Sequence, residues 1–101
     1  MKLALTRRAR GDLLSIREGK HGDGVSTGDP MAPLIEAIEE LCRMPERGQS
    51  REAVLPGLRT ITCCGHVVFY CIGIDAIIVG LVLEERRAGA ALRFAERLDG
   101  A

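Results

Sequence analysis

Net charge is the first thing this sequence lacks. Fourteen basic residues balance fourteen acidic ones over 101 residues, so affinity for nucleic acid has to come from local clusters and not from an overall field. Lysine is scarce: only Lys2 and Lys20 are present, and the apolar segments of the second half contain none. No aromatic residue follows Phe94, which removes a stacking partner for a base near the carboxyl end. The four cysteines, Cys42, Cys63, Cys64 and Cys71, show no repeated C-x-x-C spacing and read as reduced thiols. A zinc site from Cys63, Cys64, His66 and Cys71 is disfavoured, because neighbours on a strand point to opposite faces. Neither a Walker pattern nor a G-x-G-x-x-G after a strand is present. Charges follow a very short apolar stretch at the start, the wrong order for a secretory signal, so a cytoplasmic protein is expected. The apolar run from Val67 to Leu83 carries Gly73 and Asp75 at its middle and falls short of the roughly 20 residues of a membrane span. It reads as a buried hairpin, and no membrane, cofactor, metal or small-molecule substrate is expected.

What is present suits one folded domain over residues 1–101, with 47% hydrophobic and 28% charged residues. Leu3 and Leu5 suggest a brief first strand, and Thr6 stands where a helix N-cap would be. Ala9, Leu13 and Ile16 then recur at helical spacing. Gly19 to Gly28, with four glycines, reads as a flexible loop containing an exposed His21. Asp29-Pro30 signals a second helix start, and Leu34, Ile38 and Leu41 give it an apolar face opposite Glu36, Glu39 and Glu40, with Pro45 as its stop. Three strand-like segments follow, Leu58–Cys64, His66–Ile72 and Ile77–Leu83, with turns centred on Gly65 and on Gly73 to Asp75. A short final helix over Ala88 to Leu98 shares Leu92, Ala95 and Leu98 on one face. The expected fold class is α+β: a short N-terminal strand, a two-helix hairpin, a three-stranded antiparallel meander and a short C-terminal helix. Leu3, Leu13, Ile38, Leu41, Phe69, Ile78, Leu81 and Leu83 are expected in one core, with Tyr70 on the other face and half exposed.

Three phrases narrow this order of elements: Met44-Pro45-Glu46-Arg47-Gly48, Pro56-Gly57-Leu58-Arg59 and His66-Val67-Val68-Phe69-Tyr70. They resemble the "P-x-x-G", "PGLR" and "H-x-x-F-Y" phrases of the RelE/ParE superfamily of toxins, closer to its ParE branch. Val82-Leu83-Glu84-Glu85-Arg86-Arg87 matches the closing phrase of that family only in part. Glu84 stands where histidine is common, Cys71 where arginine often follows the "FY", and Ala88 where an acidic residue is usual.

The resemblance implies the toxin of a type II toxin-antitoxin system, acting on DNA gyrase or a related topoisomerase without chemistry of its own and neutralised by a cognate antitoxin. Alternatives are a RelE-like ribosome-dependent mRNA endoribonuclease and an inactive homologue that still binds antitoxin. Ribonuclease chemistry needs basic groups and a proton shuttle on one face, for which the candidates are Arg59, His66, Arg86 and Arg87. For target or antitoxin binding they are Arg59, Arg86, Arg87, Arg47 and Arg51. Arg59 should point away from an inward Leu58, and Arg59, Arg86 and Arg87 are expected to converge on one rim as an anion-recognising surface.

Overall fold

The computed structural model describes residues 1–19 and 31–99, with side chains described as far as residue 95. The glycine-rich loop beyond Gly19, His21 and the Asp29-Pro30 helix start lie outside the described residues. The elements run β1 (Lys2–Leu5), α1 (Arg7–Arg17), α2 (Met31–Leu41), a 3-10 turn (Pro45–Arg47), β2 (Gln49–Ser50), β3 (Leu58–Cys63), β4 (His66–Ile72), β5 (Ala76–Glu84) and α3 (Glu85–Asp99). The five strands form one sheet in the order β1-β5-β4-β3-β2. The β3-β4-β5 meander is antiparallel, as expected. The two-residue β2 beside β3 and the parallel pairing of β1 with β5 are additions to the expected layout.

Local chemistry explains the joints. Thr6 caps α1: its hydroxyl accepts the Ala9 amide at 3.1 Å and donates to the Gly80 carbonyl at 2.6 Å, tying the helix start to β5. Between β3 and β4 the chain turns on Cys64 and Gly65, with φ of 54° and 80°. Two consecutive left-handed residues make the tight hairpin turn whose twist matches the flanking strands; glycine takes one position freely, and Cys64 takes the other at some strain. The second hairpin closes with the Gly73 amide donating to the Ala76 carbonyl at 2.7 Å.

A bulge interrupts the β4-β5 ladder, where Phe69 faces Leu81 but Tyr70 faces Val79. The extra residue, Gly80, changes the phase of β5. Ile77, Val79 and Val82 are therefore the buried residues of this strand, whereas the expected Ile78, Leu81 and Leu83 are only partly buried.

The sheet is covered on both faces, so there are two hydrophobic clusters and not one. On one face Ala9, Leu13 and Ile16 of α1 and Leu34, Ile38 and Leu41 of α2 pack on Val68, Tyr70, Ile77, Val79 and Val82. On the other, Ala88 and Leu92 of α3 pack on Val67 and Phe69, with Val54, Leu58, Leu81 and Leu83 beside them. Phe69 is thus a residue of the smaller cluster, and Tyr70, expected to be half exposed, is 1% exposed in the larger one. Leu3 is corrected too: it lies on the sheet's outermost strand and is exposed.

β1 covers the edge of β5 only as far as Val79, which would leave later backbone groups of β5 bare. α1 supplies the replacement. Asp12, 8% exposed, accepts the Val82 amide at 2.9 Å, and Arg8 donates its Nε to the same carboxylate at 2.9 Å. A buried backbone amide without a partner is costly, so this acidic residue on an otherwise apolar helix face completes the sheet. No helix among the described residues is long and apolar enough to cross a membrane.

Candidate functional site

The three sequence phrases meet in space at Tyr70. Its hydroxyl donates to the Pro45 carbonyl at 2.7 Å and accepts the Gly48 amide at 2.9 Å. Arg59, opposite Tyr70 across the β3-β4 ladder, sends its Nη1 to the Gly48 carbonyl at 2.7 Å and the Glu46 carbonyl at 3.3 Å. Pro45, Gly48, Arg59 and Tyr70 therefore form one polar knot that holds the turn after α2 against the sheet. Gly48 is required here by close approach: a Cβ at this position would stand 2.4 Å from the Tyr70 hydroxyl and 2.9 Å from the Thr60 carbonyl oxygen.

Strand alternation places Leu58 and Arg59 on opposite faces, as expected. The expected convergence of arginines is not found. Arg59 lies in the row Arg59-Tyr70-Val79, whereas Arg86 and Arg87 follow Glu84, whose row is Glu84-His66-Cys63. Glu84 lies five positions beyond Val79 along β5, about 16 Å of strand. Arg86 and Arg87 are exposed in the first turn of α3, at the other end of the sheet from Arg59. Arg47 is exposed and paired with Glu40 of α2. Arg51 donates its Nε to the Thr60 hydroxyl at 3.1 Å. His66 is 7% exposed, and its Nδ1 is 3.2 Å from the Cys64 carbonyl oxygen. The register brings His66 beside Glu84 and away from Arg59, so the four residues proposed for ribonuclease chemistry are not gathered around one point.

One concavity is lined almost wholly by apolar side chains. This groove of about 560 Å³ lies on the α3 face of the sheet, floored by Phe69, Cys71, Ile78 and Leu81 and walled by Leu55 and Leu58 on one side and Leu92 of α3 on the other. Leu55 is exposed at its rim. Cys71 matters here, because an arginine at this floor position would put a charge into the groove. Ala88, another of the three departures, is fully buried where α3 packs on the smaller cluster. The sequence carried a signal for this groove that was missed: the alternating Val67, Phe69 and Cys71 face is as apolar as the Val68 and Tyr70 face, which requires cover on both sides.

The cysteine geometry corrects a further expectation. Cys63 ends β3 but Cys64 belongs to the turn, and its left-handed backbone swings its side chain back beside its neighbour. The two sulfurs are 3.4 Å apart and do not point to opposite faces. Burial, followed by the adjoining Cys64 thiol, pushes the Cys63 pKa up from 9.0 to about 11.

No protein-family model and no curated protein matches the sequence. Among solved structures, the chain is similar to one described as the chromosomal ParDE TA system from P. aeruginosa, at 22% identity and a TM-score of 0.65. The likeness covers 83% of this chain and 95% of that one. With a five-stranded sheet between two N-terminal helices and one C-terminal helix, the chain has a RelE/ParE-like α+β fold.

Proposed function

We propose that the protein is the toxin component of a type II toxin-antitoxin pair, neutralised by a small cognate antitoxin and acting on DNA gyrase or a related topoisomerase by binding. The observation that carries this reading is the apolar groove beside α3 in a fold shared with a solved ParDE system. A preformed apolar channel with an open rim suits an amphipathic segment of a partner protein. The dispersed arginines and the buried, strand-bound His66 favour binding over catalysis: a general acid or base must reach the proton that it moves, and phosphate neutralisation needs cations gathered at one point. Within this reading Arg86 and Arg87 at the mouth of α3, with Arg47 and Arg51, supply the polar contacts to an acidic antitoxin segment or to the target. Arg59 belongs to the same surface only through its position on β3, since its Nη1 already serves the turn at Gly48. The cytoplasm is the compartment in which such a target is met.

The test is induced expression with and without the product of the neighbouring reading frame. Growth arrest with DNA-damage signalling and intact bulk messenger RNA, relieved by the neighbouring product, is the expected result. Ribosome-dependent cleavage of messages at defined positions would replace the reading with the endoribonuclease one. A protein that binds the neighbouring product but never slows growth would show a binding module without a target.

A further inference from the structure

The β3-β4 turn holds two neighbouring thiols that the proposed target binding does not use. Consecutive cysteines in an extended strand diverge, one to each face. Here the left-handed Cys64 (φ 54°) reverses that divergence and sets its Sγ 3.4 Å from the Cys63 Sγ. The distance exceeds the bond length of a disulfide, about 2.05 Å, and is somewhat shorter than the ~3.8 Å that separates two thiolates on a tetrahedral ion with bonds of about 2.3 Å. Both sulfurs can therefore bond to a single large, soft atom with little movement of the turn. Access is open from one side: Cys64 is exposed and Cys63 partly so. The pair is also anchored. Cys63 Sγ lies 3.7 Å from the Pro33 carbonyl oxygen of α2, and the Gly65 carbonyl accepts the Glu85 amide at 2.8 Å, so the turn is held from two sides.

We propose that Cys63 and Cys64 form a vicinal dithiol site for a soft, thiophilic centre that offers two adjacent bonding positions, of the class of monosubstituted trivalent arsenicals. The reaction is a condensation. Two arsenic-sulfur bonds form, the arsenic-oxygen double bond of the arsenoxide breaks, and the two thiol protons leave with that oxygen as one water molecule. Arsenic remains trivalent and no oxidant is consumed. The high pKa of Cys63 leaves it a neutral thiol at pH 7, which still carries the proton that the departing water requires. No third cysteine, histidine or carboxylate joins the pair among the described residues, which matches a centre that keeps one organic substituent better than a zinc ion, for which four ligands are usual.

The test is titration of the full chain with phenylarsine oxide in excess 2-mercaptoethanol. A single thiol cannot hold the probe against a competing monothiol, whereas two on one turn make the second bond intramolecular. The wild type is expected to retain one arsenic per chain and to release it to 2,3-dimercaptopropanol. Cys64→Ser, at an exposed position, should weaken retention by about 10²-fold, and the double variant C42S/C71S should bind as the wild type does. In the labelled wild type, independently of how any variant folds, tryptic cleavage after Arg59 combined with chymotryptic cleavage after Phe69 or Tyr70 should leave arsenic on the fragment that carries Cys63 and Cys64 without Cys42 or Cys71. Failure of the wild type to retain the probe, undiminished retention by C64S, or arsenic on fragments carrying Cys42 or Cys71 would each overturn the proposal.

Discussion

Replacing Gly48 by alanine adds one methyl group and should nonetheless be among the most damaging small changes available to this protein. The backbone itself tolerates it, since φ of −72° and ψ of 159° are ordinary extended values. An alanine would even gain about 0.4–1 kcal/mol by restricting the unfolded chain, if the space were free. It is not free: the new Cβ would lie 2.4 Å from the Tyr70 hydroxyl, 2.7 Å from its Cε1 and 2.9 Å from the Thr60 carbonyl oxygen. Tyr70 is 1% exposed and packed among α1, α2 and the sheet, so its ring has nowhere to retreat. The turn must lift instead, breaking the bonds from the Gly48 amide to Tyr70 and from Arg59 to the Gly48 carbonyl. Overpacking typically costs about 1–3 kcal/mol, and a buried polar group left without its partner costs about 1–3 kcal/mol more. The expected net loss is about 2–4 kcal/mol. For a chain of this size each kcal/mol lowers Tm by about 4–8 °C. Urea denaturation of the wild type, G48A, Y70F and the double variant measures this, with the coupling between the two sites as the main readout. Removing the hydroxyl relieves the closest contact, so G48A should cost less in the Y70F background. A G48A protein within about 0.5 kcal/mol of wild type, the range of an unremarkable surface change, would refute the reasoning.

Other changes address other joints. Asp12→Ala leaves the Val82 amide and the Arg8 side chain without their acceptor and should destabilise by about 1–3 kcal/mol; faster hydrogen exchange at Val82 than at Val79 checks that the edge of β5 is the part that opens. Arg59→Gln should cost about 1 kcal/mol through the lost carbonyl contacts, measured by thermal melting, and any loss of toxicity beyond the matching loss of folded protein would mark a direct recognition role. Cys63 gives a pH dependence. Its pKa is raised from 9.0 to about 11 by burial first and by the Cys64 thiol second, so above pH 9 the unfolded chain sheds a proton that the folded chain keeps. The contribution of this group is then full below pH 9 and is lost as pH rises toward 11. Melting curves over that window should fall more steeply for wild type than for C63A, and parallel curves would contradict the assignment.

Much of this fold was legible because its signals are local. The Thr6 cap, the helical spacing of Ala9, Leu13 and Ile16, and the three apolar strands broken at Gly65 and at Gly73 to Asp75 all lie within a few residues of what they specify. The errors came where distant parts decide. β5 is covered on both faces, so its side chains show no alternation from which to read a phase, and the bulge at Gly80 shifts whatever phase is assumed. Tyr70 reads as half exposed because alternation sets it on the face opposite Phe69, but α1 and α2 cover that face and its hydroxyl is satisfied by Pro45 and Gly48, more than twenty positions away. The arginine rim failed on strand direction: β3 and β5 run the same way on either side of the antiparallel β4, so Arg59 at the start of β3 and Arg86 and Arg87 beyond the end of β5 lie at opposite ends of the sheet. The phrases that pointed to the fold, including Gly48, Arg59 and Tyr70, mark the joint that holds it. The groove lies instead where Cys71 departs from the pattern.

The parallel pairing of β1 with β5 sets the order in which this chain can be completed. Lys2 finds its partner only when Ala76 exists, and Asp12 must wait for Val82, so β1 and α1 are made before the strand that receives them. The β3-β4-β5 meander can form from near neighbours, whereas closing β1 and α1 onto it means joining two distant parts of the chain, with the entropy loss that such a loop entails. Until then the edge of β5 stays bare, a strand with free amides and carbonyls open to any extended segment nearby. A nascent chain is therefore exposed to unwanted strand pairing from the time β5 is made until β1 closes on it. A chain cut short of Ala76 would lack β5, the strand to which β1 pairs and against which α1 packs, and a stop codon there should behave as a null and not as a weakened protein.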